Sequence, residues 1–198
     1  MSDSDNSLQP GSAFGKHRIV RLLGRGGMGE VYEVEDDLGA VWALKVLAED
    51  MMDKPGAVER FRREALVMSE MDHSGIVKVD STGESDGRHW LRMEMAEGRE
   101  VGGKRAITLQ DYMEANHGRL SESETKKLLE SLLTSLEYAH DQGLVHRDLK
   151  PANVLFFGDQ PKIADFGLVD AAGTEWMETQ VKNSMVASMM ADTLLDSD

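Results

Sequence analysis

The residues whose types could do chemistry most directly lie between His146 and Asn153, where a carboxylate, an amine and an amide occur within eight residues. The Asp148 carboxylate can accept a proton from a hydroxyl group, and the Lys150 ammonium can neutralise a transferring phosphoryl group. Asn153 and Asp165, twelve residues further on, offer the hard oxygen ligands that Mg²⁺ prefers. These residue types at this spacing favour phosphoryl transfer.

A second candidate is the glycine-rich segment of residues 24–31, which lies between two predicted strands. Glycine has no Cβ, so the backbone can turn tightly there and bring its N–H groups against phosphate oxygens. A glycine cluster between strands is also typical of an ordinary hairpin turn. A dinucleotide-binding fingerprint requires a helix after the glycines, whereas residues 30–35 have the character of a strand. This setting favours a loop that covers phosphates.

Lys45 and Glu64 form a predicted ion pair. Lys45 alternates with apolar residues on one face of a predicted strand. Glu64 lies three residues after Phe61 and four before Met68, which places it on the apolar face of a predicted helix. Leaving either charge buried and unpaired would cost about 3–5 kcal/mol, so pairing is the expected arrangement. A surface lysine and a solvated glutamate remain the alternatives.

Short strand-like runs and one helical run organise the first half of the chain. The strand-like runs are rich in β-branched and aromatic residues, and turn-forming residues separate them. Apolar residues recur at helical spacing over residues 55–72. The predicted strands are residues 17–23, 30–35, 41–47, 76–81 and 89–95. The sequence thus predicts an antiparallel five-stranded sheet crossed by one helix, with a turn at residues 83–87 and a hinge at residues 98–104.

A helix-led segment follows this sheet. Ser121 and Glu124 form a capping box at the start of a leucine-striped helix, and Gly143 is its predicted stop. Two short strands are predicted beyond it, at residues 154–157 and 161–164. The order of elements, first strand-rich and then helix-led, predicts an α+β fold.

Composition excludes several classes of function. The chain has 198 residues, of which 36 are acidic and 22 basic, and the net charge of −14 argues against a nucleic-acid partner. The absence of cysteine excludes disulfides, thiolate zinc sites and thiol catalysis, and favours a cytoplasmic location. No apolar stretch approaches the roughly 18 residues that span a bilayer, so no membrane span is predicted.

The glycine-rich segment, Lys45, Glu64, residues 146–153 and the triplet Asp165-Phe166-Gly167 together resemble the motifs of eukaryotic-type protein kinases. The loop sequences are most similar to bacterial Hanks-like Ser/Thr members, and the resemblance runs over residues 17–168. It implies a protein-kinase-like bilobal fold, with a complete five-stranded N-lobe carrying one helix and an incomplete helical C-lobe.

The resemblance divides the chain into four parts. Residues 1–15 are expected to be a disordered acidic tail, and residues 16–97 a kinase N-lobe. Residues 98–169 would form a partial C-lobe with the catalytic and metal-binding loops. Residues 170–198 would be a degenerate activation segment or a C-terminal helix or tail.

The same resemblance assigns roles to the candidate residues, with ATP and Mg²⁺ as cofactors. The catalytic residues would be Asp148 as the base, Lys150 at the γ-phosphate, Lys45 at the α- and β-phosphates and Glu64, which orients Lys45. The metal ligands would be Asn153 and Asp165. The nucleotide-binding residues would be Leu23, Gly24, Arg25, Gly26, Gly27, Met28, Gly29, Val31, Ala43, Lys45, Glu94, Ala96 and Leu155.

Lys150 follows Asp148 by two residues, an arrangement typical of Ser/Thr kinases, so the implied partner is a protein substrate with a serine or threonine hydroxyl. No Ala-Pro-Glu motif and no proline follow Pro161. An alternative is therefore a pseudokinase-like, ATP-binding interaction module that lacks peptide-substrate machinery. An incomplete C-lobe would leave apolar surface, which predicts self-association or a protein partner. The methionine-rich residues 177–195 are expected to cap that surface as a helix or to be a disordered remnant.

Overall fold

The computed structural model describes residues 7–166, and six of its strands form one antiparallel sheet. These strands are β1 (Ala13–Phe14), β2 (His17–Arg25), β3 (Gly29–Glu35), β4 (Val41–Leu47), β5 (Val79–Ser85) and β6 (Arg88–Met93). Their order across the sheet is β1-β2-β3-β4-β6-β5. The sheet contains the five predicted strands and one additional edge strand, β1.

Two helices follow β4 and cover the inner face of this sheet. They are the short α1 (Glu49–Met52) and the longer α2 (Ala57–Glu70), which confirms the predicted helix. Phe61, Ala65 and Met68 on α2 are buried in an apolar cluster that also includes Leu91 of β6. The predicted apolar face of α2 is therefore the face that packs on the sheet.

A second apolar cluster lies on the outer face of the sheet and is covered by residues 7–14. Its buried members are Phe14, Ile19, Tyr32, Val34, Leu44, Val46 and Trp90. Phe14 is fully buried and pairs with His17 in the β1–β2 ladder, and Leu8 packs against the same cluster. The prediction of a disordered tail is thus wrong for residues 7–15, because burying aromatic and leucine side chains here contributes about 2 kcal/mol each.

Two tight turns differ from the predicted loops. Strand β5 continues to Ser85, and Asp86 and Gly87 form the turn to β6 with φ of 50° and 74°. A second hairpin, β7 (Arg99–Val101) and β8 (Lys104–Ala106), replaces most of the predicted hinge at residues 98–104. Asp-Gly and Gly-Gly are the residue pairs that two-residue turns with positive φ prefer.

Between residues 107 and 166, the structure contains two helices, one 3-10 turn and one more hairpin. They are α3 (Leu109–Ala115), α4 (Glu122–Asp141), the 3-10 turn Pro151–Asn153, β9 (Val154–Phe157) and β10 (Gln160–Ile163). The predicted capping box is present, since Ser121 accepts a hydrogen bond from the Glu124 N–H and the Glu124 side chain accepts one from the Ser121 N–H. Gly143, with φ of 75°, follows the end of α4.

Main-chain hydrogen bonds join the six-stranded sheet and its helices to the β9–β10 hairpin. The Val77 N–H donates to the Ile163 carbonyl at 2.9 Å, and the Ile163 N–H donates to the Gly75 carbonyl at 2.8 Å. The inner apolar cluster continues through this junction, because it contains Phe61 of α2 as well as Phe156 of β9. The end of β10 is therefore fixed against the sheet. Among residues 7–166, no helix has both the length and the apolar composition to cross a membrane.

Candidate active site

Lys45 joins three elements of the fold through its ammonium group. Its Nζ atom lies 2.8 Å from Glu64 Oε1 on α2 and 2.9 Å from Asp165 Oδ1 beyond β10. The first contact confirms the ion pair that the sequence predicts. The second contact was not predicted, because nothing in the local sequence shows that residues 120 positions apart meet.

The surroundings of this lysine control its charge. Burial disfavours the ammonium form, but the carboxylates of Asp165 and Glu64 outweigh burial and raise the pKa of Lys45 above its ordinary value. Burial raises the pKa of Glu64, against the opposing effect of Lys45. Lys45 is thus a permanent cation at neutral pH, positioned between two carboxyl groups.

The β9–β10 hairpin brings the two predicted metal ligands to one end of the structure. Val154 and Ile163 are paired across the hairpin, so Asn153 just before β9 and Asp165 just after β10 lie at the same end. The Ala164 N–H also donates to the Asn153 carbonyl at 2.8 Å. The hairpin therefore juxtaposes two oxygen-bearing side chains that are twelve residues apart.

These two side chains fit Mg²⁺ by their chemistry. Asn153 donates its Nδ2–H to the Asp148 carbonyl at 2.8 Å, which leaves its Oδ1 as an acceptor, and the Asp165 carboxylate is half exposed. Residues 7–166 contain no group of three or more His, Asp or Glu side chains suited to a metal. Mg²⁺ commonly takes one or two protein ligands and completes its shell with phosphate oxygens and water, so this set suits a metal that arrives with a phosphate.

The predicted base lies in an exposed loop beside a lysine. Lys150 Nζ donates to Asp148 Oδ2 at 2.6 Å, and Asn153 Nδ2 lies 3.4 Å from the same oxygen. The hydrogen bond from Lys150 holds the pKa of Asp148 below its ordinary value, against a smaller opposing effect of desolvation. Asp148 is therefore a carboxylate at neutral pH and can accept a proton.

Left-handed backbone occurs at two non-glycine residues that flank these loops. Arg147 has φ of 61° and Asp165 has φ of 51°. Such conformations cost on the order of 1 kcal/mol or more and persist where the surrounding structure enforces them. Here buried neighbours do so: the His146 Nε2–H donates to the Ala164 carbonyl at 2.9 Å, and the His146 ring contacts Phe166 with centroids 4.8 Å apart.

The glycine-rich segment is the end of the β2–β3 hairpin. The Gly26 N–H donates to the Gly29 carbonyl at 2.8 Å. A Cβ atom on Gly29 would lie 2.2 Å from the Val46 carbonyl oxygen, so the close approach of β3 to β4 requires this glycine. A Cβ atom on Gly24 or Gly27 would meet no heavy atom of residues 7–166 within 4 Å. Packing within the described structure therefore does not account for those two glycines.

The side chain of Arg25 in this segment is held away from the loop tip. Its Nε–H donates to Glu30 Oε1 at 3.1 Å, and its guanidinium also donates to Ser7 Oγ. This contact with the N-terminal segment was not predicted, because no local sequence pattern relates Ser7 to Arg25. Arg25 and Glu30 are cross-strand partners, so the ion pair closes the base of the glycine hairpin.

The predicted adenine-contacting side chains lie on several elements around the same inner cluster. Ala43 pairs with Met93 across β4 and β6, and both are buried in that cluster. Val31 of β3 and Leu155 of β9 are partly buried and pack against it, whereas Leu23 is 36% exposed. The predicted adenine contacts are Leu23, Val31, Ala43 and Leu155, and the structure brings the last three of them to this one cluster.

Glu94 and Ala96, two of the predicted nucleotide-binding residues, follow β6. Ala96 is buried, and the Glu94 carboxylate accepts hydrogen bonds from Lys162 Nζ at 2.7 Å and from the Lys78 N–H at 2.7 Å. Any contact of Glu94 with a nucleotide would therefore come from its main chain. Lys162 is a residue that the sequence analysis did not identify, and it ties the end of β6 to β10.

Comparison with known proteins identifies the class. Residues 17–189 match the protein kinase domain family, so the chain belongs to that family and has its fold. The probable serine/threonine-protein kinase PknB of Lactococcus lactis is 36% identical over 186 residues, which are 92% of this chain and 28% of that protein. The serine/threonine-protein kinase pkn2 of Myxococcus xanthus is 38% identical over 159 residues, 78% of this chain and 18% of that protein.

Solved structures agree with this assignment. The kinase domain of Mycobacterium tuberculosis PknI superimposes with a TM-score of 0.69 at 33% identity, over 83% of this chain and 63% of that one. The chain thus spans less than a third of the length of these two curated relatives and about two thirds of a solved kinase domain.

Proposed function

We propose that this chain carries the ATP-binding and phosphoryl-transfer site of a Ser/Thr protein kinase. The observation that supports this most strongly is the contact of Lys45 with both Glu64 and Asp165. That contact leaves the Lys45 ammonium group 2.9 Å from the Asp165 carboxylate, which supports a cation for the nucleotide phosphates beside a carboxylate for the metal. It also joins the sheet that carries the glycine hairpin to the hairpin that follows the catalytic loop.

In this proposal the nucleotide lies between the glycine hairpin and β9. The adenine packs among Val31, Ala43 and Leu155, and the phosphates lie near Lys45. The open space at Gly24 and Gly27 supports the proposal, because backbone N–H groups without Cβ atoms can approach phosphate oxygens closely. Asn153 and Asp165 would hold Mg²⁺, which would supply positive charge beside the phosphates.

The transfer step uses the exposed loop. Asp148 takes the proton of a substrate serine or threonine hydroxyl as the oxygen attacks the γ-phosphorus. The bond from the γ-phosphorus to the bridging oxygen breaks, and ADP leaves with that electron pair. Lys150, 2.6 Å from Asp148, is within reach of the γ-phosphate and offsets the negative charge there.

The test is phosphate transfer from Mg-ATP to a generic Ser/Thr protein substrate, compared between wild type and Asp148→Asn. Wild type should transfer phosphate, and the variant should lose about 10²–10⁴-fold in rate because it lacks the base. Mg-ATP affinity should not change. Asp141→Asn, an exposed carboxylate at the end of α4, is the matched control and should transfer phosphate like wild type.

A second candidate is the ATP-binding interaction module without turnover. Leu129 and Leu133 of α4 support it, because both are exposed on one side of that helix at 51% and 62%. Large exposed apolar side chains in a row are typical of a protein contact. A wild-type chain that binds Mg-ATP and transfers no phosphate would favour this candidate and overturn the first.

A further inference from the structure

The N-terminal segment, residues 7–14, crosses the outer face of the sheet next to the glycine hairpin. The Leu8 N–H donates to the Tyr32 hydroxyl at 2.9 Å, and the Gly11 N–H donates to the Ile19 carbonyl at 2.8 Å. The segment ends in strand β1 and covers the outer apolar cluster. It is therefore an ordered part of the fold with fixed contacts to β2 and β3.

Ser7 connects this segment to the base of the glycine hairpin. Its hydroxyl donates to Glu30 Oε1 at 2.6 Å and accepts a hydrogen bond from the Arg25 guanidinium. Arg25 and Glu30 are the cross-strand pair directly outside the glycine turn. One hydroxyl group thus contacts both strands of the hairpin at the point where the turn begins.

Glu30 links the hairpin to the rest of the sheet. Its other oxygen accepts hydrogen bonds from the Tyr32 hydroxyl at 2.6 Å and from Arg88 Nη2 at 3.3 Å. Arg88 is buried and also donates to the Leu47 carbonyl of β4 at 3.1 Å. Burial opposes ionisation of Glu30, but the hydrogen bonds from Ser7, Tyr32 and Arg88 outweigh it and hold the pKa of this carboxyl below its ordinary value.

This network contacts the hairpin from the face opposite the candidate nucleotide site. Val31 lies directly across from Lys45 in the β3–β4 register, so the two side chains share the inner face. Side chains alternate along a strand, and Glu30 and Tyr32 therefore point to the outer face. The inner face of the hairpin therefore remains accessible to phosphates, while hydrogen bonds at Glu30 fix its outer face.

We propose that residues 7–14 position the glycine-rich loop over the phosphates of ATP, with Ser7 and Glu30 as positioning residues. The inference rests on the proposed function for its effect on ATP, and on the described contacts alone for its effect on the loop. A loop ordered in advance loses less conformational entropy when a ligand binds, so the network favours phosphate binding without touching the nucleotide.

The first test needs no nucleotide. Hydrogen exchange of the amides in residues 24–30 is measured in wild type, Ser7→Ala and Ser12→Ala. Ser12 lies in the same segment and donates its hydroxyl to the Gln9 carbonyl at 2.7 Å, so its variant controls for loss of a hydroxyl from the segment. Ser7→Ala should exchange faster in the loop, Ser12→Ala should match wild type, and Ser7→Thr should restore the wild-type rate. Unchanged loop exchange in Ser7→Ala would overturn the proposal.

The second test is the affinity for Mg-ATP and for adenosine. Ser7→Ala should raise the dissociation constant of Mg-ATP by about 3–10-fold, because both hydrogen bonds of the Ser7 hydroxyl are lost, and leave that of adenosine unchanged. An equal loss for both ligands would show a general structural defect and contradict the positioning role. If wild type binds no Mg-ATP, the proposed function fails, and the exchange measurement still decides whether residues 7–14 hold the loop.

Glu30→Gln gives an independent check of the same network. This variant keeps the side-chain shape but removes the negative charge that accepts hydrogen bonds from Ser7, Tyr32 and Arg88. Glu35→Gln is the matched control, because Glu35 forms its ion pair with Arg18 at the other end of β3. Faster loop exchange in Glu30→Gln alone is the expected result, and equal behaviour of the two variants would count against the proposal.

Discussion

Two of the ion pairs in the candidate site have similar lengths but lie in opposite environments. Lys45 and Glu64, at 2.8 Å, have side chains only 12% and 4% exposed, whereas Asp148 and Lys150, at 2.6 Å, are 60% and 52% exposed. A buried ion pair contributes to the stability of the fold, because removing one partner leaves the other charge buried without a counter-charge. An exposed pair is solvated in both states and adds little to stability. In the proposed function, the first pair therefore serves structure and chemistry together, and the second serves chemistry alone.

The position of each pair in the fold explains this contrast. Lys45 lies in the sheet beneath α2, where the proposed function places a nucleotide against a preformed surface. Asp148 lies in an exposed loop, which in the same proposal a protein substrate must reach. Substitutions in and around the two pairs test this difference between buried and exposed charges, in order of decreasing expected effect on stability.

The largest effect on stability is expected for Lys45→Met. This variant keeps the length of the side chain but leaves the Glu64 carboxylate buried without its cation, which should cost about 3–5 kcal/mol of unfolding free energy. Urea denaturation measures it. The double variant Lys45→Met/Glu64→Leu should recover most of the lost stability and should still bind Mg-ATP poorly.

The matched control for this variant is Lys126→Met. Lys126 faces Glu130 one turn along α4, and both side chains are more than 60% exposed. Its loss should change the unfolding free energy very little. Equal destabilisation by Lys45→Met and Lys126→Met would contradict the assignment of a buried structural role to Lys45.

An intermediate, pH-dependent effect is expected at His17 in the sheet. The ring is buried against Trp90, and within residues 7–166 neither ring nitrogen has a hydrogen-bond partner. Burial, with a smaller effect of the Arg92 charge, lowers the pKa of His17 below its ordinary value of 6.5. The unfolded chain then binds the proton more tightly, so the contribution of His17 to stability is present above pH 6.5 and declines as the pH falls below it.

The variant His17→Phe keeps an aromatic ring beside Trp90 and removes the titrating group. Its unfolding free energy should fall less than that of wild type between pH 7 and pH 5, as urea denaturation at several pH values would show. His117→Asn, at an exposed position, should keep the wild-type profile. A profile for His17→Phe that is parallel to wild type would disprove this role of His17.

The smallest effect on stability is expected for Lys150→Met. Both members of its pair are exposed, so the melting temperature should stay at the wild-type value. Phosphate transfer should nevertheless fall by about 10²-fold or more, because the charge beside the γ-phosphate is lost. A clear drop in melting temperature would show that the exposed pair also supports the fold and would remove the contrast drawn above.

Sequence reasoning could find the parts of the site that local patterns encode. The ion pair of Lys45 and Glu64 was predictable because strand alternation and helical spacing each placed a charge on an apolar face. The α4 helix was predictable from the capping box of Ser121 and Glu124. The catalytic and binding roles of the individual site residues are predictions from the family resemblance.

The parts that could not be predicted depend on contacts distant in sequence or on very short elements. Strand β1 has two residues and no periodicity, so its only signal was Phe14, which the acidic composition of the tail outweighed. The β7–β8 hairpin did have a signal, the pair Gly102 and Gly103, which two-residue turns prefer. The methionine-rich segment of residues 177–195 lies outside the described residues.

The proposed difference in role between the two ion pairs is tested most directly by measuring both binding and transfer in Lys45→Met and in Asp148→Asn. Mg-ATP affinity by calorimetry and single-turnover phosphate transfer are measured on the same preparations of each variant and of wild type. If the two pairs divide these roles, Asp148→Asn should retain wild-type affinity and lose transfer, whereas Lys45→Met should lose both. Wild-type transfer by Asp148→Asn, or wild-type Mg-ATP affinity in Lys45→Met, would contradict this difference in role.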